Sequence, residues 1–215
     1  MHIIFDWDGT LAKIDVAKEA SIRRSDSFGK VFDSKWLDKA LKTDAHFEIN
    51  KKLIKEYTGV EDDKELTILM TDMFKYHYLG VANEFNETTL YEGTLDFLKL
   101  LKEKGFKLSI ATTLRTDIVK NVMKRLDLIK YFDHIAGNNV SLDFSKKDLV
   151  KECIDKIGEA SFMIGDKSTD VDAGKEMGAK GILVTWGTHK DYKDADLVVH
   201  DLLTLQKHLL KAKSL

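Results

Sequence analysis

The segment of residues 3–10, with the sequence IIFDWDGT, constrains the fold of this chain more than any other. Its apolar start predicts a short buried strand, and Asp8-Gly9 predict the turn that ends the strand. Because residues i and i+2 of a strand point the same way, Asp6 and Asp8 are expected to face one site together. That site lies at the carboxyl end of the strand, where open α/β sheets bind ligands.

Two neighbouring carboxylates on a buried strand repel each other. Their burial costs roughly several kcal/mol unless a positive group or a shared proton compensates for it. A hard cation such as Mg²⁺, a lysine or a shared proton would each do so. Taken alone, the segment is also compatible with a strand that ends in an acidic turn and binds nothing.

Length and composition set the class of protein. The 215 residues, 43% apolar and 33% charged, fit one large globular domain or one domain that carries an insertion. The net charge of −2 argues against charge-driven binding to nucleic acid. One cysteine, Cys153, excludes an intramolecular disulfide and fits a reducing cytoplasm, and its place on an apolar helix face predicts an inert core thiol. We expect neither a signal peptide nor a transmembrane helix, because the chain opens on a strand and has no apolar run of about 18 residues.

The region after the first strand is predicted to be helical. Residues 14–86 contain no convincing strand, and apolar residues at three- and four-residue spacing in 61–79 predict one clear amphipathic helix. The predicted stripe of this helix is Leu66, Leu69, Met70, Met73 and Phe74. Further helices are predicted over residues 13–27, 34–41 and from 43 or 44 to 57.

From Tyr91 the chain alternates between strands and helices. Strands are predicted over residues 107–112, 134–136, 161–164, 181–185 and 197–199, and the predicted helix N-caps are Thr94, Thr116, Ser145 and Asp201. This alternation predicts an α/β fold with a Rossmann-like parallel sheet covered on both faces. We therefore expect a core of residues 1–13 and 88–215, with residues 14–87 inserted after strand one as a helical domain.

Polar residues follow the predicted strands in a recurring pattern. Aspartates come directly after two of the strands, in DWDGT at 6–10 and GDKSTD at 165–170. With these two segments the chain resembles the haloacid dehalogenase superfamily of phosphohydrolases, whose first motif is Asp-x-Asp-Gly-Thr and whose fourth is Gly-Asp-x-x-x-Asp. The resemblance covers approximately residues 1–12 and 88–210. It implies a Rossmann-like core of the haloacid dehalogenase fold. Within the superfamily, the chain is similar to the phosphoglycolate-phosphatase-like or β-phosphoglucomutase-like branch.

The resemblance assigns the two carboxylates of the first motif to catalysis. Phosphoryl transfer needs an in-line nucleophile, neutralised phosphoryl charge and a proton for the leaving group. Asp6 is expected to attack and form an aspartyl-phosphate, which divides the displacement into two easier steps. Asp8 is expected to protonate the leaving alcohol and then to take a proton from water. Since a free Asp has a pKa of about 3.9, the surroundings of Asp8 must favour its protonated form.

A cation is the expected cofactor. Asp6 and Asp166 offer the oxygen ligands that Mg²⁺ prefers, and the resemblance adds the backbone carbonyl of Asp8 as a third ligand. Asp170 is expected to act indirectly, through water or by orienting Lys146. Asp172 is expected to cap a helix or face solvent.

The phosphate is expected to meet a hydroxyl and a lysine. Thr112 resembles the family's Ser/Thr motif, whereas Thr113 stands where many relatives carry Asn, so that only its backbone N–H is expected to donate. Lys146 is the favoured lysine because it places the next helix's apolar residues on the core face. Lys147 is the alternative.

The helical insert resembles the family's C1 cap, a small domain that closes over the site. Residues 11–15 and 83–91 are then the hinges, and closure excludes water and supplies specificity contacts. Either Arg23 or Arg24 could meet substrate charge from the cap, although both could equally lie on a solvated helix surface. The sequence Trp186-Gly187-Thr188 predicts a loop near the site.

The expected function is that of a Mg²⁺-dependent phosphatase acting on a small phosphorylated metabolite. A sugar phosphomutase of the same fold and a non-catalytic phosphate-binding regulatory protein are the alternatives. Asp8 argues against a dehalogenase proper, which needs no acid at this position. A monomer or homodimer in the cytoplasm, with no nucleic-acid or membrane partner, is expected.

Overall fold

A computed structural model describes residues 1–27, 51, 54–56, 58–60, 63–139 and 145–214. The helix predicted over 34–41, and most of the one predicted from 43 or 44 to 57, lie outside the described residues. In the described part of the chain, no helix is long and apolar enough to cross a membrane.

The described strands form one six-stranded parallel sheet. Its strand order is β3-β2-β1-β4-β5-β6, so that β1 lies in the middle between β2 and β4. This confirms the predicted α/β class and the parallel sheet. The strands are β1 His2–Phe5, β2 Lys107–Thr112, β3 His134–Gly137, β4 Phe162–Gly165, β5 Lys180–Val184 and β6 Leu197–Val199.

Helices cover both faces of the sheet and form the insert. In the described residues they are α1 Ile14–Asp26, α2 Lys64–Phe85, α3 Thr94–Glu103, α4 Thr116–Arg125, α5 Lys146–Ile157, α6 Ser168–Glu176 and α7 Leu202–Lys213, with short 3₁₀ turns at Asn86–Thr89 and Ile129–Tyr131. The first two belong to the insert between β1 and β2, where they pack mainly against each other. The others pack on the sheet.

Strand β1 is buried on both faces, as the apolar run from Ile3 to Phe5 predicts. Ile3 and Phe5 lie in one apolar cluster, whereas Ile4 lies in a second cluster on the opposite face with residues of α5 and α6. This alternation follows from the two-residue period of a strand. It also aims Asp6 and Asp8 at the carboxyl end of the sheet.

Two short segments connect the insert to the core. Lys13 N donates to Thr89 O at 2.8 Å, and Tyr91 N donates to Leu11 O at 3.1 Å, so the outgoing and returning chains lie side by side. Both connections are shorter than the predicted hinges, because α1 begins at Ile14 and α2 continues to Phe85.

Two of the four predicted helix N-caps are N-caps in the structure, and two are not. Ser145 caps α5 in a capping box, and Asp201 caps α7, as predicted. Thr94 and Thr116 were predicted as N-caps but are the first residues of their helices, after Gly93 and Arg115. Gly93 takes the N-cap position of α3 with φ +80°, and the Thr116 hydroxyl donates instead to Gly137 O at 3.1 Å.

Candidate active site

The candidate site lies at the carboxyl ends of the three central strands. Asp6 follows β1, Thr112 ends β2, and Asp166 follows β4. The pairing of β1 with both neighbours brings these three positions together, and Asp6 N extends the pairing by donating to Ile164 O at 2.9 Å. All three side chains are buried.

Lys146 joins this cluster from the first turn of α5. Its Nζ lies 2.7 Å from Asp6 Oδ1 and 2.8 Å from Asp170 Oδ1, and it donates to Ala111 O at 3.0 Å. Ser145, the residue before it, is the N-cap of α5, so the capping box fixes Lys146 as the first residue of the helix. Lys147, the alternative, lies outside the cluster, where it pairs with Glu176 at 2.8 Å on an exposed surface.

Asp166 has one oxygen in use and one open. Thr188 N donates to its Oδ2 at 2.7 Å, while no donor in the described part of the chain contacts its buried Oδ1. Carboxylate oxygens of Asp6, Asp166 and Asp170 all lie within 4.8 Å of one another. A buried oxygen without a partner costs free energy, so this arrangement fits an additional positive ligand.

Charge in the cluster supports the same interpretation. Burial raises the pKa of Asp6 to about 7, Lys146 opposes the rise, and Asp170 and Asp166 add to it. Burial, followed by the charge of Asp170, likewise raises the pKa of Asp166. Three buried carboxylates share one ammonium, so a divalent cation would favour the ionised forms of Asp6 and Asp166. An all-oxygen donor set suits Mg²⁺, which Asp6 and Asp166 would hold.

Asp170 lies beneath this cluster on the first turn of α6. Its Oδ2 accepts from Lys167 N at 3.1 Å, and its Oδ1 faces Lys146. A Cβ on Gly165 would lie 2.2 Å from Asp170 Oδ2, which explains the glycine in the Gly-Asp motif. Asp172 was expected to cap a helix or face solvent; it lies half-buried within α6, where it accepts a hydrogen bond from the Tyr192 hydroxyl at 2.8 Å.

The loop that contains Gly9 and the loop that contains Gly187 pack closely against Asp166 and against each other. Gly9 has φ +81°, and a Cβ there would lie 2.1 Å from Asp166 Oδ2. A Cβ on Gly187 would lie 2.3 Å from Gly9 O. The loop that contains Trp186, Gly187 and Thr188 therefore lies against the site, as the sequence predicts, and Trp186 Nε1 holds it by donating to Thr10 O at 3.0 Å.

Asp8 contacts the insert. Its Oδ1 accepts from the Tyr78 hydroxyl at 2.6 Å, and that hydroxyl accepts from Trp7 Nε1 at 3.0 Å. Burial raises the pKa of Asp8 to about 6, although Tyr78 and Lys167 lower it. Burial and Asp8 raise the pKa of Tyr78 well above its ordinary value, so Tyr78 keeps its proton.

Thr112 is buried and Thr113 is half-buried at the start of the loop after β2. Leu114 N donates to Thr112 Oγ1 at 3.2 Å, which fixes the hydroxyl oxygen and leaves its proton for another acceptor. The loop then leads to Arg115 and Asp117, which pair with Asp72 and Lys75 of α2. The insert thus contacts the core beside Thr112.

A family model described as haloacid dehalogenase-like hydrolase matches residues 3–184. The chain belongs to this family. The matched range spans β1 to β5 and includes every residue of the cluster described above. The resemblance drawn from the two acidic motifs is thereby confirmed, and with relatives that are named phosphatases this hydrolase is an enzyme of the phosphatase type.

Two relatives match this hydrolase over most of their length. Phosphoglycolate phosphatase from Aquifex aeolicus is 29% identical over 198 residues, which cover 86% of this chain and 84% of the relative. Pyrophosphatase PpaX from Halalkalibacterium halodurans is 26% identical over 208 residues, which cover 93% and 92%.

A solved structure supports the fold. β-Phosphoglucomutase from Clostridium difficile superposes with a TM-score of 0.78 at 18% identity and covers 99% of this hydrolase and 96% of its own chain. At that identity the likeness establishes the fold alone.

Tyr78 of this hydrolase was missed in the sequence. The predicted stripe of α2 ended at Phe74 and included Leu69, which is 52% exposed. The buried face instead runs through Met70, Phe74 and Tyr78, at four-residue spacing. Extending the stripe by one turn would have reached Tyr78, but its partner Asp8 is separated from it by 70 residues and leaves no local signal.

The two arginines of the insert diverge, as their 100° separation on a helix predicts. Arg23 lies at the surface of the hydrolase and pairs with Glu84 at 2.6 Å and Glu19 at 2.8 Å. Arg24 is fully buried, with its guanidinium carbon 5.2 Å from the centre of the Phe74 ring. Burial lowers the pKa of Arg24 to about 10. A contact between either arginine and substrate stays a prediction.

Proposed function

We propose that this hydrolase is a Mg²⁺-dependent phosphatase that cleaves the phosphate ester of a small phosphorylated metabolite through an aspartyl-phosphate on Asp6. One observation carries the proposal: Asp6 is buried, held by Lys146 at 2.7 Å, and clustered with Asp166, which keeps an open oxygen. The names of the relatives, a phosphatase and a pyrophosphatase, support hydrolysis at a phosphoryl group.

In the first step, a carboxylate oxygen of Asp6 attacks phosphorus in line with the ester oxygen. The new O–P bond forms as the ester O–P bond breaks. Asp8 delivers its proton to the departing alkoxide, which leaves as an alcohol. Lys146 holds the Asp6 side chain in one orientation, while its ammonium offsets the charge of Asp6 and Asp170.

In the second step, Asp8 removes a proton from water as that water attacks the phosphorus of the aspartyl-phosphate. The bond between Asp6 and phosphorus breaks, inorganic phosphate leaves, and Asp6 returns as a carboxylate. Thr112 and the Thr113 backbone N–H donate to phosphoryl oxygens. When bound by Asp6, Asp166 and the Asp8 carbonyl, Mg²⁺ would neutralise charge on the phosphoryl group.

The insert acts as the cap in this proposal, and the core comprises residues 1–13 and 88–215. Helix α2 of the insert contacts Asp8 through Tyr78. It also contacts the core just after β2 through two ion pairs, Asp72 with Arg115 and Lys75 with Asp117. An insert in this position covers the site and excludes water from it. Location in the cytoplasm, a monomeric or homodimeric state and the lack of nucleic-acid and membrane partners stay predictions.

Pyrophosphate is a second candidate substrate. The match to a pyrophosphatase extends over 93% of this chain, slightly more than the match to the phosphoglycolate phosphatase. Both substrates present a terminal phosphoryl group to the same nucleophile. They differ in the leaving group, which is an alcohol in one and phosphate in the other.

The test measures inorganic phosphate released from phosphoglycolate, pyrophosphate, hexose phosphates and 4-nitrophenyl phosphate. Each assay is run with Mg²⁺ and with EDTA, on the wild type, Asp6→Asn and the surface control Asp155→Asn. We expect turnover that needs Mg²⁺, disappears in Asp6→Asn and persists in Asp155→Asn. Turnover that survives both EDTA and Asp6→Asn would overturn the proposal. Phosphate that moves between hexose positions without release would favour the phosphomutase, and Mg²⁺ binding without any reaction would favour the regulatory binder.

A further inference from the structure

A chain of two hydrogen bonds runs from Trp7, in the loop after β1, to Tyr78 of the insert and back to Asp8. Trp7 Nε1 and the Tyr78 hydroxyl oxygen are 3.0 Å apart, and the Tyr78 hydroxyl lies 2.6 Å from Asp8 Oδ1. The Trp7 and Tyr78 side chains are fully buried. Phe74, one turn earlier on α2, packs against Tyr78 with ring centres 5.7 Å apart and holds the phenol in place.

The direction of each hydrogen bond in this chain is determined by its chemistry. An indole N–H can only donate, so the Tyr78 hydroxyl must accept from Trp7. The hydroxyl has one proton of its own, and Asp8 Oδ1 is the acceptor placed to receive it. If Asp8 carried its proton on Oδ1, two donors would meet at the phenol oxygen, and the Tyr78 proton would lose its acceptor in a buried place.

We propose that Tyr78 is a positioning residue for Asp8: it occupies Oδ1, fixes the rotation of the carboxyl group, and leaves Oδ2 as the oxygen that exchanges protons with the substrate. This inference rests on the proposed function, in which Asp8 is the acid and base. Tyr78 belongs to the insert, so the correct orientation of Asp8 depends on the insert lying on the core. Only when the insert lies on the core is Asp8 held in the orientation in which it gives its proton to the departing alkoxide.

Two substrates that differ in leaving group separate this role from a merely structural one. An alkyl phosphate releases a strongly basic alkoxide that needs a proton, whereas 4-nitrophenyl phosphate releases a stable phenolate that does not. The quantity compared is kcat/KM, because it reports the steps up to loss of the leaving group and excludes the later attack by water. A general loss of folding or of phosphate binding would lower kcat/KM for both substrates alike.

Tyr78→Phe is the main variant, because it removes the hydroxyl and keeps the ring. We expect kcat/KM for the alkyl phosphate to fall about tenfold, the size of one lost orienting hydrogen bond, and kcat/KM for the aryl phosphate to stay within about twofold. Tyr76→Phe is the matched control on the same helix, since Tyr76 is 78% exposed, and it should leave both values unchanged. Thermal denaturation of each variant checks the fold.

Trp7→Phe is the second variant. It leaves the Tyr78 hydroxyl in place but removes the N–H that orients it, so a smaller loss confined to the alkyl phosphate is expected. The inference is overturned if a variant loses kcat/KM equally on both substrates, or if Tyr78→Phe and Trp7→Phe both keep the wild-type kcat/KM for the alkyl phosphate. The proposed function stands in both cases. A wild type that hydrolyses neither ester would instead remove the proposed function, and the inference with it. If Tyr78→Phe does not fold, Trp7→Phe decides.

Discussion

The ammonium nitrogen of Lys146 lies 2.7 Å from Oδ1 of Asp6, although 140 residues separate them along the chain, and both side chains are only 9% exposed. Burial lowers the pKa of Lys146, but Asp170 and Asp6 outweigh it and keep the lysine charged. Removing one partner of a buried ion pair leaves the other charge without compensation. The pair therefore links the stability of the site to its chemistry.

Lys146→Met is predicted to lower phosphatase activity about 100-fold, because the charge that offsets Asp6 and the phosphoryl oxygens is lost. Without Mg²⁺ at pH 8, it should also lower the free energy of unfolding by about 3 kcal/mol, since two buried carboxylates lose their cation. Lys147→Met is the matched control, and its activity and stability should stay near those of the wild type. Steady-state kinetics and urea unfolding measure both. A larger loss in Lys147→Met would reverse the assignment of the lysine.

Asp166→Asn is predicted to abolish stabilisation by Mg²⁺. A cation that binds the folded state at about 100 times its Kd stabilises it by about 2.7 kcal/mol, which calorimetry detects as a raised Tm. Burial raises the pKa of Asp166, which means that its ionised form is unfavourable in the folded state. Because asparagine carries no charge, the variant should be no less stable than the wild type when Mg²⁺ is absent. Asp172→Asn, which alters a carboxylate bonded to Tyr192, should keep the Mg²⁺ shift. Persistence of the shift in Asp166→Asn would place the cation elsewhere.

Gly187→Ala is predicted to disturb the site through backbone contact. The new Cβ would lie 2.3 Å from Gly9 O and 2.5 Å from Asp166 Cβ, so the loop must move and Asp166 with it. We expect about tenfold lower kcat/KM and a loss of about 1–3 kcal/mol in stability. Gly80→Ala is the control. In the described part of the chain nothing lies within 4 Å of its new Cβ, so it should stabilise α2 by about 0.5–1 kcal/mol. Wild-type activity in Gly187→Ala would contradict the tight approach of the two loops.

His2 is predicted to make stability depend on pH. Its Nδ1 lies 2.9 Å from Gly158 O, which can only accept, so Nε2 of the neutral ring accepts from the Ser109 hydroxyl at 2.8 Å. Burial lowers the pKa of His2 below 6.5 in the folded state, and the hydrogen bond to Gly158 opposes the shift. As the pH falls below about 6.5, the unfolded chain takes up a proton that the folded one refuses, so stability falls by about 1.4 kcal/mol for each unit between the two pKa values.

Urea unfolding at pH 8 and pH 5 measures this contribution. The wild type should lose more stability between these pH values than His2→Gln, whatever the absolute stability of the variant. An identical pH dependence in both proteins would show that His2 does not contribute.

The sheet and the acidic cluster could be predicted because their signals are local. β1 is apolar from Ile3 to Phe5, β2 occupies the predicted 107–112, and the acidic motifs follow strands whose ends meet at one edge of the sheet. Ser145 and Asp201 combine a capping side chain with the helix that follows, so their roles were visible too.

The contacts that depend on distant pairing could not be predicted. Tyr78 has the same appearance in the sequence as any aromatic residue of a core stripe, and only the packing of α2 against the loop after β1 brings it to Asp8. Asp172 matched a helix cap, yet Tyr192, 20 residues later, binds it. Thr94 and Thr116 have the right residue type for N-caps, but the backbone begins each helix one residue earlier than that role requires.

The most direct test of the central claim, that Asp6 is the nucleophile, traps the covalent intermediate. The hydrolase is mixed with substrate and Mg²⁺, quenched within one turnover, and treated with borohydride, which reduces an acyl phosphate to an alcohol. Mass spectrometry of the peptide that contains residue 6 should then find homoserine at Asp6, and only when substrate is present. Active turnover with no reduction at Asp6, or with reduction at Asp8 or Asp166 instead, would contradict the account.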